Sequence, residues 1–409
     1  MKILHVLAQL PEQTGSGVYY HNLFQGMADH GVENALIYAI QDPFKINFNN
    51  VTTFPVLFNS PELPFPIPGM SDVMPYTSTV YSQMTDDQVE CWMRAFTSRL
   101  EQAKASFQPD LIISHHLWYL TSLVMNIFES CPIVGVSHGT DLRQARMHPE
   151  LKGKYLADFN RLDLVFSLTE IDKESLAQEF KIDPHKIMVT GNGFNSDIFH
   201  AKGRSTREEE KIKLLYAGKL TQSKGVFELA QCFPRLKQIF PAVEMYFIGN
   251  GEDGAEDKLK QLAQADQEDG FYVKPAVQQD QLAEIMRSKD IFILPSYYEG
   301  LATICLEAMA CGMRVVVSDL PPLRNFLGPI INQSGQISYV AMPRVINQDQ
   351  AVVEDLPIFV ADLTQAITEQ IQAILDDKKI SDPVSDQIAA LSWPQIIERQ
   401  LLAINNLLK

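Results

Sequence analysis

Short apolar runs alternate with longer stretches in which apolar residues recur at helical spacing. Residues 2–10, K-I-L-H-V-L-A-Q-L, predict a buried strand. P-E-Q-T-G-S-G follows, and then V-Y-Y-H-N-L-F-Q-G-M-A-D-H-G, where Leu23 and Met27 share a helical face. Further strands are predicted in E-N-A-L-I-Y-A-I, D-L-I-I-S-H-H, P-I-V-G-V-S-H-G, D-L-V-F-S-L-T and K-I-M-V-T-G-N-G. The polar stretch H-A-K-G-R-S-T-R-E-E-E-K, residues 200–211, breaks the rhythm and is the expected linker. The alternation restarts in K-L-L-Y-A-G-K-L, V-E-M-Y-F-I-G-N-G, F-Y-V-K-P-A-V, D-I-F-I-L-P-S and R-V-V-V-S-D. Continuous apolar strands joined by helices indicate parallel sheets covered on both faces. The expected fold class is therefore α/β: two Rossmann-like, doubly wound domains facing across a cleft at the carboxyl ends of their strands.

Residues 41–85 depart from the scheme. They are rich in Pro, Phe and Asn and predict a long irregular excursion, packed rather than disordered.

Composition narrows the classes. A chain of 409 residues exceeds one ordinary core, which agrees with two domains. The formal charge of −16 argues against non-specific nucleic-acid binding, although a local basic pocket can still hold an anion. Five scattered cysteines without C-x-x-C spacing suggest a reduced, cytoplasmic protein with buried thiols. The N-terminus reads as a strand rather than a secretory signal, and no apolar run reaches the roughly 18 residues of a membrane span.

Four constellations carry chemistry. Thr14 to Gly17, T-G-S-G, lies between the first strand and the first helix, where small residues let backbone amides approach a phosphate. An ordinary strand-to-helix turn explains it equally well. V-S-H-G-T-D-L-R follows an apolar strand and puts His138, Asp141 and Arg143 at a sheet edge, near His115 and His116. A-G-K-L-T-Q-S-K-G places Lys219 and Lys224 in a loop that opens a helix, an arrangement suited to a diphosphate. Finally, P-S-Y-Y-E-G-L-A-T-I-C-L-E-A-M-A-C-G carries Glu299 in a loop and Glu307 on a helix. The amides of Gly300, Leu301 and Ala302, with the helix start near Thr303, form an expected anion nest. Carboxylates beside an anion site are useful if they reach past it to hydroxyl groups. No cysteine cluster or H-x-x-x-H supports a metal site.

The frame P-S-x-x-E-G followed by E-A-M-A-x-G resembles the E-x7-E motif of the family 4 retaining glycosyltransferases, which have the GT-B fold. The other motifs follow in the family's order. Gly15, Ser16 and Gly17 resemble its glycine loop, and H-G-T-D its acceptor-side histidine motif. N-G-F-N-S-D-I-F resembles its hinge and G-K-L-T-Q-S-K-G its lysine loop, and L-S-W-P-Q-I-I-E with Trp393 resembles its returning tail helix. The implied division is residues 1–198 with 393–409 as the acceptor-side domain, and 199–392 as the donor domain.

The resemblance implies a nucleotide diphosphate sugar as co-substrate, a UDP-sugar being favoured, with no cofactor and no metal. Lys219 and Lys224 would bind the diphosphate, with the Gly17 loop capping it from the other domain. Glu307 would hold the ribose, and Glu299 the sugar hydroxyls. His138 would contact the sugar or the leaving phosphate, and the base would lie near Pro275 to Val277. His116, Asp141 and Arg143 are candidates on the acceptor side. The acceptor itself is left open among a small molecule, a glycan and a lipid-linked molecule, as are homo-oligomerisation and a membrane-peripheral location. A nucleotide-sugar epimerase or hydrolase of the same fold, or a non-catalytic binding protein, is the alternative. Three features depart from the family pattern: Lys219 replaces a frequent arginine, Ala302 a frequent glycine, and an extension follows Val340.

Overall fold

The computed structural model describes residues 1–11, 14–44, 46, 48, 51–71, 74–205, 211–347, 349–378 and 380–409. The chain forms two units, Met1–Asn192 with Trp393–Lys409, and Gly193–Ser392.

The first unit is built on a seven-stranded sheet. Its strands are β1 (Lys2–Val6), β2 (Glu33–Gln41), β3 (Thr52–Phe58), β6 (Leu111–His115), β7 (Ile133–Val136), β8 (Leu164–Ser167) and β9 (Ile187–Val189). A separate short pair, β4 (Pro68–Gly69) and β5 (Thr79–Val80), lies between β3 and β6 in the chain. All pairings in the sheet are parallel, in the order β3-β2-β1-β6-β7-β8-β9. Val6 sits opposite Ile37 on one side and Ser114 on the other, so β1 is the strand where the winding reverses.

The second unit repeats the plan with β10 (Ile212–Ala217), β11 (Val243–Ile248), β12 (Phe271–Lys274), β13 (Ile291–Leu294), β14 (Arg314–Ser318) and β15 (Ile337–Val340). Their order is β12-β11-β10-β13-β14-β15, again all parallel. The reversal falls between β10 and β13. In an open sheet of this kind, ligands bind beyond the carboxyl ends of the strands at that point. The uninterrupted apolar runs have a direct cause: every residue of β6, β7, β13 and β14 is buried, because helices cover both sheet faces.

Three expectations are corrected. Residues 41–85 contain a regular strand, β3, which extends the first sheet. The stretch 200–211 does not link the units. Residues 206–210 lie outside the described residues, but Arg204 donates to the carbonyls of Met286, Lys289 and Cys311, and the Ser205 amide to that of Arg287. The chain passes between units at Asn192–Gly193 rather than after residue 198, because Phe194 and Phe199 are buried in the second core.

The return at Trp393 starts the helix Trp393–Leu407, which packs into the first unit. The Trp393 ring meets Tyr19 edge-on at 4.9 Å, and Gln400 donates to the Tyr19 hydroxyl at 2.7 Å. The extension after Val340 folds as a small antiparallel hairpin of β16 (Val345–Ile346) and β17 (Gln350–Ala351). Arg344 closes it with a forked ion pair to Asp355.

Candidate functional site

In the second unit, the loops after β10 and β13 flank the reversal point. The first runs from Gly218 through a short 3-10 turn, Gln222–Lys224, to the helix Val226–Ile239. Gly225 ends that turn at φ +64, and a Cβ there would lie 2.1 Å from the Pro295 carbonyl oxygen. Only glycine meets both demands, so the two loops touch backbone to backbone. The Tyr297 amide also donates to the Ser223 carbonyl at 3.0 Å.

This apposition sets the side chains. Lys224 Nζ donates to Glu299 Oε1 at 2.8 Å, and the Ser296 hydroxyl donates to the same oxygen at 2.8 Å. Lys219 is exposed, and its carbonyl accepts the Tyr216 hydroxyl at 2.7 Å. Among the described residues, the amides of Gly300, Leu301, Ala302 and Thr303 have no acceptor in the chain. They are the consecutive donors an anion nest requires. Ala302 adopts φ +37, a conformation that disfavours a side chain. Glu307 follows on the helix Ile304–Ala310, and burial pushes its carboxyl up to about 7. Gly312, at φ +84, closes that helix as its C-terminal glycine.

Beside the lysine loop lies a cavity of about 540 Å³. Lys219 and Thr221 line it, with Asn250, Val277, Leu282 and Ile304 among the other walls. The segment expected near a base, residues 275–277, therefore contributes Ala276 and Val277 to it.

In the first unit, Thr14 caps the helix Gly15–Asp29, and its hydroxyl accepts the Gly17 amide at 3.0 Å. Gly17 is thus buried and paired, which leaves exposed Gly15 and half-buried Ser16 as the open part of the turn. His138 is half-buried at the end of β7, with its Nε2 3.1 Å from His115 Nδ1. His116 is enclosed, between Gln9 Nε2 at 3.2 Å and Thr140 Oγ1 at 3.3 Å, and its backbone is left-handed at φ +66. Burial lowers His116 to about 3, and holds His115 and His138 well below the usual imidazole range. The cluster is neutral at ordinary pH and offers hydrogen bonds rather than charge.

Asp141, expected on the acceptor side, is fully buried. Its oxygens accept the Ser137 hydroxyl at 2.9 Å and the amides of Leu117 and Leu142 at 3.0 Å. It shapes the loop around His138 and has no face toward solvent. Arg143 is half-exposed and accessible beside it.

Sequence reasoning missed Ser296, Asn250 and Glu228. Ser296 is a buried hydroxyl just past the end of β13, a signal visible in D-I-F-I-L-P-S. Glu228 is buried under the lysine loop, where it accepts Gln222 Nε2 at 2.8 Å. Nothing in its neighbourhood in sequence marks it.

A model described as glycosyl transferases group 1 matches residues 197–333, and one described as glycosyltransferase family 4 matches residues 14–198. The chain is 23% identical to the alpha-maltose-1-phosphate synthase of Mycolicibacterium smegmatis, over 51% of this chain and 59% of that protein. It spans 51% to 59% of the length of three such curated relatives. Sucrose-phosphate synthase from Thermosynechococcus elongatus superposes with a TM-score of 0.66 at 15% identity, over 99% of this chain and 98% of that one. Anabaena HepE, solved with UDP and glucose, gives 0.59 at 14% identity, over 99% and 100%. The family matches together run from residue 14 to residue 333, across both parallel-sheet units, and the chain belongs to the group 1 glycosyltransferases, with the GT-B fold.

Proposed function

We propose that the chain moves a hexosyl or N-acetylhexosaminyl group from a nucleotide diphosphate sugar to an acceptor hydroxyl, with the anomeric configuration retained. The observation that carries this reading is the pairing of Lys224 with Glu299 beside the amides of Gly300 to Thr303, which among the described residues have no acceptor in the chain, at the reversal point of the second sheet. Cationic and amide donors suit a diphosphate, and carboxylates at either end suit hydroxyl groups. UDP is the first nucleotide to try, because HepE was solved with it.

In this reading Lys219, Lys224 and the amides stabilise the charge that develops on the departing diphosphate, and they take the part a metal ion plays elsewhere. The bond from the anomeric carbon to the diphosphate oxygen breaks while the acceptor oxygen bonds to that carbon on the same face. The acceptor proton passes to the leaving phosphate oxygen. Glu299 holds sugar hydroxyls, Glu307 holds the ribose, and His138 offers a neutral ring to the sugar.

The test is a thermal-shift panel of uridine-, guanosine- and adenosine-diphosphate sugars, with and without EDTA, followed by mass spectrometry with candidate acceptors. One donor class should stabilise the chain and yield a glycosylated product in EDTA. Failure of every nucleotide diphosphate to bind would overturn the reading. Turnover of donor to an epimer or free sugar with no acceptor used would replace it with the isomerase or hydrolase reading.

A further inference from the structure

Asn250 occupies an unusual place in the cavity beside the lysine loop. It follows β11 and lies between Gly249 and Gly251, with its side chain exposed. Its backbone carbonyl accepts the Leu220 amide at 2.9 Å, next to Lys219. Its side-chain Oδ1 accepts the Ala276 amide at 3.1 Å, in the irregular segment after β12. One residue therefore joins two walls of the same cavity, one through its main chain and the other through its side chain. The glycine before it makes the approach close, since a Cβ on Gly249 would lie 1.8 Å from the Gly218 carbonyl oxygen.

The consequence falls on Val277. Asn250 fixes the Ala276 amide, and among the described residues the Val277 amide and carbonyl have no partner in the chain. Val277 lines the cavity with Leu282 and Ile304. An apolar wall with an adjacent backbone donor and acceptor suits the edge of a nucleobase. We propose that Asn250 is a positioning residue for base recognition: its side chain sets the segment Ala276–Val277 at the height where the peptide groups of Val277 can meet the base. The proposal rests on the nucleotide diphosphate reading above. It adds a division of labour, because the main-chain half of Asn250 supports the lysine loop and only the side-chain half supports the base wall.

That division makes the test differential. Calorimetric titrations of UDP, GDP, ADP and inorganic pyrophosphate are compared for the wild type, Asn250→Ala and Asn250→Asp. In the wild type, one nucleoside diphosphate should bind more tightly than pyrophosphate. In Asn250→Ala that advantage should fall about fivefold, the worth of one lost hydrogen bond, while pyrophosphate affinity stays within about twofold. Asn250→Asp should restore the ratio, since a carboxylate oxygen still accepts from Ala276, even where its charge weakens both ligands alike. An unchanged ratio in Asn250→Ala, or equal weakening of nucleotide and pyrophosphate, would overturn the proposal while leaving the donor reading intact. A wild type that binds no nucleoside diphosphate would overturn both.

Discussion

Lys224 and Glu299, far apart in sequence, meet at 2.8 Å, and the two side chains keep 25% and 21% of their exposure. The pair engages the cation proposed for the diphosphate with the carboxylate proposed for the sugar. An arriving diphosphate competes with Glu299 for Lys224, and the released carboxylate becomes free to accept sugar hydroxyls. Glu299→Gln removes the competitor, so UDP should bind about two- to fivefold more tightly while turnover falls about 100-fold. Lys224→Ala should lose both, with kcat/KM down about 100-fold or more. Calorimetry beside steady-state kinetics checks the opposite signs. Glu299→Gln that weakens UDP would show that the pair does not compete with ligand.

Ala302 sits at φ +37 with 9% exposure, inside the loop whose amides, among the described residues, have no acceptor in the chain. Left-handed backbone costs a side-chain-bearing residue about 1–2 kcal/mol, whereas glycine loses about 0.4–1 kcal/mol through its looser unfolded state. Ala302→Gly should therefore be neutral or stabilising by up to about 1.5 kcal/mol. Ala302→Val, with a branched side chain in the same conformation, should destabilise by more than about 2 kcal/mol. Urea denaturation midpoints decide between these outcomes.

Much of the fold is legible because the sheet strands are continuous and apolar, and such runs have few alternatives. β3 escaped for a physical reason. T-T-F-P-V-L-F contains Pro55 and alternates in burial, since it lies at the edge of the seven-stranded sheet, beside β2. At an edge, the missing proline N–H is tolerated, and Arg99 Nε donates to the Pro55 carbonyl at 2.8 Å. The motifs also named the loops of the second unit, because charge and glycine stand out there. Pairings were not legible: Lys224 with Glu299, His115 with His138, and Asn250 with Ala276 join residues from different loops. Burial was hidden as well. Asp141 looks like a site residue in H-G-T-D, yet its neighbours in space enclose it completely.

Asp141 gives a prediction of the structural kind. Asp141→Ala leaves the Leu117 amide and the Ser137 hydroxyl without their acceptor inside the first unit. The expected loss is about 2–4 kcal/mol, from donors left unsatisfied in a buried site. Asp141→Asn keeps the shape but turns one acceptor into a donor, so about 1–3 kcal/mol is expected. Activity should fall in both variants, as the turn that carries His138 loosens. Chemical denaturation, followed by activity measured well below the unfolding midpoint, separates the two effects.

Glu307 makes stability and binding depend on pH with opposite signs. Burial raises its carboxyl from 4.5 to about 7, so between those values the folded chain holds a proton that the unfolded chain has released. The group's contribution to stability is complete below pH 4.5 and is lost as pH climbs through 7. The linked loss over the full shift is on the order of 3 kcal/mol. The difference in unfolding free energy between wild type and Glu307→Gln should therefore decline from pH 5 to pH 8. Ligand reverses the preference, because ribose hydroxyls donate to the ionised carboxylate and favour it. Nucleotide binding should then release a proton near pH 7, and affinity relative to Glu307→Gln should rise by several-fold between pH 6 and pH 8. Calorimetry in buffers of different ionisation enthalpy counts the released proton directly. A ratio of affinities that stays flat across this range would remove Glu307 from the ribose site.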